Sequence, residues 1–210
     1  MSGIHLQTRN RGWRHWRSRR IFRYMANGIV INFIGEINDK TTGILFFVLT
    51  NQLQSGAKEI RLNISSPGGS VFHAITVHNF ILGLQDVTVH AHNLGQIDSA
   101  ANVIFLAGKV RTASKAATFL MHPPKVMFNG PQAMSIEEMG ERLEGLKSDE
   151  KKMAGIIGAC ISKSPKEIIQ MFKKRRTYSS EQGIELGFIS RVEEFSVTPG
   201  QPTFTITNNG

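Results

Sequence analysis

Residues 59–72 read Glu-Ile-Arg-Leu-Asn-Ile-Ser-Ser-Pro-Gly-Gly-Ser-Val-Phe. Glu59–Ile64 reads as a strand and Ser65–Gly69 as a loop. A helix then starts near Ser70, with Val71, Ala74, Ile75, His78, Ile81 and Leu82 on one face. The same alternation runs outward in both directions. Upstream, Ile29–Ile34 (IVINFI) is a buried strand, and Asn38 or Asp39 caps a helix to about Gln54 that Ser55-Gly56 ends. Downstream, Val87–His92 is a strand, Asn93–Asp98 a loop and Ser99–Leu106 a helix closed by Gly108. Ala116–Met121 is a further strand, stopped by Pro123-Pro124.

Ser135 and Glu138 form a capping box for a long polar helix to about Ile161. Ser164-Pro165 opens another helix and Ser179–Leu186 another, before a last strand at Phe188–Val192. Strands alternating with helices predict an α/β fold of right-handed βαβ units. The tail from Ser196, with Pro199, Gly200, Pro202 and a final Asn-Asn-Gly, is expected to be mobile.

The 210 residues are 40% hydrophobic and 20% charged, enough for one sizeable core and unlike a disordered chain. One cysteine, Cys160, excludes an internal disulfide and fits a reducing compartment. No apolar run approaches membrane-spanning length. The net charge of +9 points at first to a polyanion. Its distribution says otherwise. Arg9, Arg11, Arg14, Arg17, Arg19, Arg20 and Arg23 lie within residues 1–24, which carry no lysine and no acid. The remainder holds 18 basic and 16 acidic residues. The first 24 residues read as an extension outside the fold, or as sequence ahead of a start at Met25. An organelle transit peptide and a polyanion-binding arm are the competing readings.

Several residues can carry chemistry. Pro67-Gly68-Gly69, between strand and helix, lets the backbone turn sharply and aim an N–H at a ligand, although such a triplet is commonly a plain turn. Ser99, where a loop becomes a helix, sits near free N–H groups, a setting for a nucleophile, although such a position is more commonly an ordinary N-cap. His122 ends an apolar strand at the edge where open α/β sheets bind ligands, a place that also suits a structural histidine. His90 and His92 share a strand face by their spacing, but no third ligand accompanies them, so no metal site is expected.

In order and spacing, three motifs resemble the Clp protease proteolytic subunit, ClpP: Pro67-Gly68-Gly69, Gly95-Gln96-Ile97-Asp98-Ser99-Ala100 and Leu120-Met121-His122-Pro123. Gly35-Glu36-Ile37, Ala107-Gly108 and the closing Ser179…Gly183-Ile184-Glu185-Leu186-Gly187-Phe188-Ile189 extend the resemblance over about residues 29–192. It implies a crotonase-like fold of stacked βαβ units with a protruding handle over about residues 126–161, within a peptidase domain of residues 25–195. It implies a serine peptidase with Ser99 as nucleophile, His122 as general base and the N–H groups of Gly69 and Ala100 as oxyanion hole. It also implies heptameric rings stacked as a tetradecamer, fed with peptides or unfolded proteins by an AAA+ unfoldase. ATP would be used by that partner, so no cofactor is expected here. A cytoplasmic location follows, with organelle targeting by the arginine-rich start as the alternative, and neither a membrane nor a specific nucleic acid is an expected partner.

One position departs from the pattern. The family's triad aspartate lies four residues before the serine matched by Ser179, which here is Arg175 in Lys173-Lys174-Arg175-Arg176. A positive charge opposes imidazolium formation. Three readings follow: Ser99 and His122 work as a dyad or with another acid, the chain is a catalytically poor ring subunit, or the register is off by a turn. Asp98 is the candidate third member within the motifs themselves. An acyl-CoA enzyme of the crotonase fold is a more distant alternative. The apolar stripe Ile136, Met139, Leu143, Leu146, Met153, Ile156 and Ile157 along the handle points to an intersubunit contact.

Overall fold

The computed structural model describes residues 28–128, 130 and 133–208, so the arginine-rich extension with His5 and His15 lies outside the described residues. Three consecutive βαβ units build the molecule. β1 (Gly28–Ile34) leads through α1 (Asp39–Gln54) to β2 (Glu59–Ser66), and β2 through α2 (Val71–Leu82) to β3 (Thr88–Asp98). β3 leads through α3 (Ala101–Leu106) to β4 (Val110–Ala113). β1 pairs with β2, β2 with β3 and β3 with β4, all parallel. The expected caps form: Asn38 closes a capping box on α1, and Ser70 accepts from the His73 N–H at the start of α2.

β3 is the hinge of the design. Its first half, His90–Asn93, pairs with β4, whereas Gln96–Asp98 pairs with β5 (Thr118–Leu120). The expected loop over Asn93–Asp98 is therefore the second half of a bent strand. Asn93 explains how a polar, glycine-containing stretch stays in the sheet. Its side chain donates to the Thr118 carbonyl (2.8 Å) and accepts from the Gly95 N–H (3.0 Å), replacing ladder bonds where the register to β2 shifts. β4 was not expected from the sequence. β5 is shorter than the strand expected there and pairs antiparallel with β6 (Thr177–Ser179).

α4 (Ile136–Ile161) has the expected Ser135–Glu138 capping box. Its last turns bury Met153, Ala154, Ile157 and Ile161, while Ile136, Met139 and Leu143 stay exposed. α5 (Pro165–Lys174) and α6 (Ser180–Glu185) follow, then β7 (Arg191–Val192) beside β4. Arg111 of β4 ties two distant glycine motifs together, donating to the carbonyls of Gly108, Gly187 and Phe188.

The tail departs from the expected mobility. Thr203–Thr207 forms β8, parallel to β1, and Ile206 is buried. Alternating threonines with Phe204 and Ile206 make a half-buried strand, a pattern outweighed in the sequence by the surrounding proline, glycine and asparagine. To reach β1 from β7 the chain crosses the sheet face, where Arg61 donates to Glu193 (3.1 Å) and to the Ser196 carbonyl (3.5 Å) and lies over the Phe195 ring.

Candidate active site

Three chain segments meet at the ends of β1, β2 and β3. Past β1, Ile37 runs beside the Pro-Gly-Gly turn. Its N–H donates to the Gly68 carbonyl (2.7 Å), and its carbonyl accepts from the Ser70 N–H (2.8 Å). No described residue accepts a hydrogen bond from the Gly69 N–H between those two bonds. Gly69 has φ +139°, and a Cβ there would run into the Ile37 carbonyl oxygen, so only glycine fits. Gly68 meets the serine turn: a Cβ on it would lie 2.7 Å from the Asp98 carbonyl oxygen and 2.8 Å from Ser99 Cβ.

Ser99 is not the helix cap its sequence position suggested. α3 begins two residues later, with Ala100 at the cap and no side-chain capping bond. Ser99 instead occupies a turn at φ +54°, a conformation non-glycine residues adopt only when their surroundings impose it. Those surroundings are clear. The Ser99 N–H donates to the Leu120 carbonyl (3.0 Å), and the buried Asn102 side chain donates to the carbonyls of Ser99 (3.0 Å) and Leu120 (3.1 Å). Asn102 is a positioning residue that pattern reading missed. Its only signal is an amide set in the apolar run Ala-Ala-Asn-Val-Ile-Phe. Like that of Gly69, the Ala100 N–H has no acceptor among the described residues.

His122 follows β5, half-buried, with Nδ1 2.9 Å from the Pro123 carbonyl oxygen. A carbonyl only accepts, so Nδ1 carries a proton and neutral His122 keeps its lone pair on Nε2. Ser99 and His122 line one cleft of about 690 Å³, together with Gly68 and Gly69. Val71, Phe72, Val126, Met127 and Leu146 give this cleft an apolar wall, and Glu36, Lys125, Arg142 and Asp149 its charges. No hydrogen bond joins the Ser99 hydroxyl to His122 among the described residues, a looseness common before substrate binds.

Neither acid question of the sequence resolves into a hydrogen-bonded triad. Asp98 pairs with Leu120 across β3 and β5. Burial raises its pKa, while nearby His122 and the Leu120 backbone pull it down. Arg175 caps α5 at φ +46° and is exposed. The β5–β6 ladder runs Thr118↔Ser179, Phe119↔Tyr178, Leu120↔Thr177, and the Met121 N–H then donates to the Arg176 carbonyl (3.2 Å). Arg175 itself lies beyond that ladder, in the left-handed turn that ends α5, with its N–H donating to the Phe172 carbonyl (3.1 Å). No carboxylate hydrogen-bonds His122 among the described residues.

The two strand histidines go to other duties. His90 Nε2 pairs with Glu59 (2.6 Å), and His92 is held by Thr112 and Ser114 (2.8 and 3.1 Å). No cluster of three or more His, Cys, Asp or Glu suited to a metal occurs among the described residues, nor any helix long and apolar enough to cross a membrane.

Comparison with known proteins gives a consistent result. The chain is 28% identical over 182 residues to the ATP-dependent Clp protease proteolytic subunit 4, chloroplastic, of Arabidopsis thaliana, covering 82% of this chain and 59% of that protein. It is 30% identical over 167 residues to the ATP-dependent Clp protease proteolytic subunit 1 of Tropheryma whipplei (strain Twist), covering 77% and 79%. A solved structure of a ClpP1 mutant from Listeria monocytogenes superposes with a TM-score of 0.67 at 20% identity, over 79% of this chain and 91% of that one. The fold is thus the ClpP, crotonase-like one. The Clp protease family model matches residues 13–195, beginning inside the arginine-rich segment, and the chain accordingly belongs to the Clp protease family.

Proposed function

We propose that this chain is a serine endopeptidase subunit that cleaves peptides or unfolded proteins by acyl-enzyme chemistry inside an oligomeric chamber. The observation that carries the reading is the serine turn. Ser99 is held at φ +54° beside two backbone N–H groups without acceptors among the described residues, in a cleft shared with a histidine whose Nδ1 is held by a carbonyl. In this scheme Ser99 Oγ attacks the scissile carbonyl carbon and gives its proton to His122 Nε2. The resulting oxyanion is received by the N–H groups of Gly69 and Ala100, each worth about 3 kcal/mol to the transition state. Collapse breaks the C–N bond, His122 protonates the departing amine, and water repeats the sequence to release the acid.

Family members form ring oligomers that work with Clp ATPases. The exposed apolar first half of α4 supports the same for this chain, a pair of heptameric rings meeting through their handles and served by an AAA+ unfoldase. ATP belongs to that partner. A reducing compartment, cytoplasmic or organellar, suits the lone Cys160.

The test is labelling of the assembled particle by a fluorophosphonate. The expected result is modification at Ser99, lost in Ser99→Ala together with peptide cleavage. An assembled particle that is never labelled would overturn the reading. One observation favours a second reading, a ring subunit with a relic site: by the motif spacing Arg175 occupies the position where the resemblance to ClpP expects the acid, and no carboxylate hydrogen-bonds His122 among the described residues. That reading expects a stable oligomer, no cleavage alone and association with an active paralogue.

A further inference from the structure

The proposed chemistry asks three things of His122: the right tautomer, a fixed ring, and a stabilised positive charge once Ser99 has given up its proton. In a complete triad one carboxylate supplies all three. Here the first two come from the backbone. The Pro123 carbonyl oxygen, 2.9 Å from Nδ1, holds the ring and leaves the lone pair on Nε2. The next residue, Pro124, has no N–H with which to compete for nearby acceptors.

A neutral carbonyl does not supply charge. Asp98 is placed to do so. It lies level with Leu120 on the adjacent strand, and His122 is two residues further on, the spacing that returns a side chain to the same face of an extended chain. The half-buried carboxyl of Asp98 and the ring of His122 feel each other electrostatically, which offsets part of the burial that raises the Asp98 pKa. The other charges around the histidine are mixed: Lys125 and Arg142 against Glu36 and Asp149 in the cleft, with exposed Arg175 just beyond the β5–β6 ladder.

We propose that the work of the missing aspartate is divided between two positioning residues, the Pro123 carbonyl fixing the His122 ring and tautomer and the Asp98 carboxylate stabilising its imidazolium from the neighbouring strand. The proposal rests on the peptidase reading. The proton still passes only from Ser99 Oγ to His122 Nε2 and on to the leaving amine. Asp98 stays ionised and acts through its charge.

Histidine-selective NMR on the assembled protein tests it without relying on activity. The neutral ring of His122 is expected as the Nδ1–H tautomer, and an Nε2–H tautomer overturns the role of Pro123. In Asp98→Asn the His122 titration midpoint is expected to fall by roughly half a unit or more, and Asp98→Glu to recover most of that shift. His92, on the other half of β3, is expected to titrate unchanged in both variants and reports that the fold is intact. The acid limb of the kcat/KM profile moves with the His122 midpoint. An unmoved midpoint in Asp98→Asn, with Ser99 still labelled in the parent protein, overturns the role of Asp98 and leaves the peptidase reading standing. A moved midpoint with Ser99 unreactive supports the electrostatic pairing and removes the peptidase reading.

Discussion

His92 and His122 both come from the β3–β5 part of the sheet, and the structure treats them in opposite ways. His92 is 1% exposed, both ring nitrogens bonded, in a polar row across the sheet that pairs Thr205 with Asn32, Asn32 with Asn63, Asn63 with His92 and His92 with Thr112. The chain leading to β8 lies over it, with the Phe195 ring 5.9 Å from its own. His122 has one nitrogen held by a backbone carbonyl and the other left for the cleft. A fully satisfied histidine contributes to stability. One with a single fixed nitrogen keeps its second for a further partner. The same distinction separates the tied amides of Gly68 and Ser70 from the free amide of Gly69.

The sharpest way to break this comparison is to truncate each ring. His122→Ala is expected to lower kcat by 10⁴-fold or more with little change in Tm. His92→Ala should instead cost roughly 2–4 kcal/mol of stability and spare turnover per folded subunit, measured by denaturation beside a peptidase assay. A pH scan sharpens the contrast. Burial, helped by Arg61, lowers the pKa of His92 to about 4, from 6.5. The unfolded chain therefore binds more protons between those values. This contribution to stability is complete above pH 6.5 and declines as pH falls toward 4, by about 3 kcal/mol. His92→Gln should remove that part of the pH dependence.

The next effect in size concerns Arg175, just beyond the β5–β6 ladder. Arg175→Asp is expected to raise kcat/KM about 10- to 100-fold, because a cation is replaced by the anion that favours imidazolium formation. Aspartate tolerates the left-handed backbone at φ +46°, so the exchange adds little strain. No gain in a peptidase assay would show that more than one charge separates this site from a complete triad. The smallest effect tests the serine turn. Ser99→Gly and Ser99→Ala both abolish labelling, but glycine relieves the φ of +54° and should leave the protein about 1 kcal/mol more stable than alanine does, read from urea unfolding.

Much of this was legible in the sequence because it depends on short-range rules. The capping residues Asn38, Ser70, Ser135 and Ser164 each satisfy N–H groups within three residues, so a local pattern suffices to find them. The order of the Pro-Gly-Gly, serine and histidine motifs carried the family as well. Other features escaped because they depend on partners far along the chain. The second half of β3 looked like a loop, since its ladder is completed by β5 and by the side chain of Asn93. β8 looked like a frayed end, since its partner β1 lies about 170 residues earlier and only that pairing makes five short residues a strand. Asn102 showed only as an amide in an apolar run, because its acceptors, Ser99 and Leu120, come together only when the sheet closes.

The amino-acid sequence by itself determined the βαβ alternation, the concentration of its +9 charge in the first 24 residues, and an arginine at 175, where the resemblance to ClpP expects an acid. All three follow from residue identity and spacing along one chain. The tertiary structure decided which groups remain unsatisfied. It turned Ser99 out of a helix cap into a left-handed turn, and left the Gly69 and Ala100 amides without acceptors among the described residues. It also gave the Nδ1 of His122 to a carbonyl and set Asp98 level with Leu120 on the neighbouring strand. Hydrogen-bond satisfaction and electrostatic neighbours are properties of space, and strands distant in sequence become neighbours only in the folded sheet.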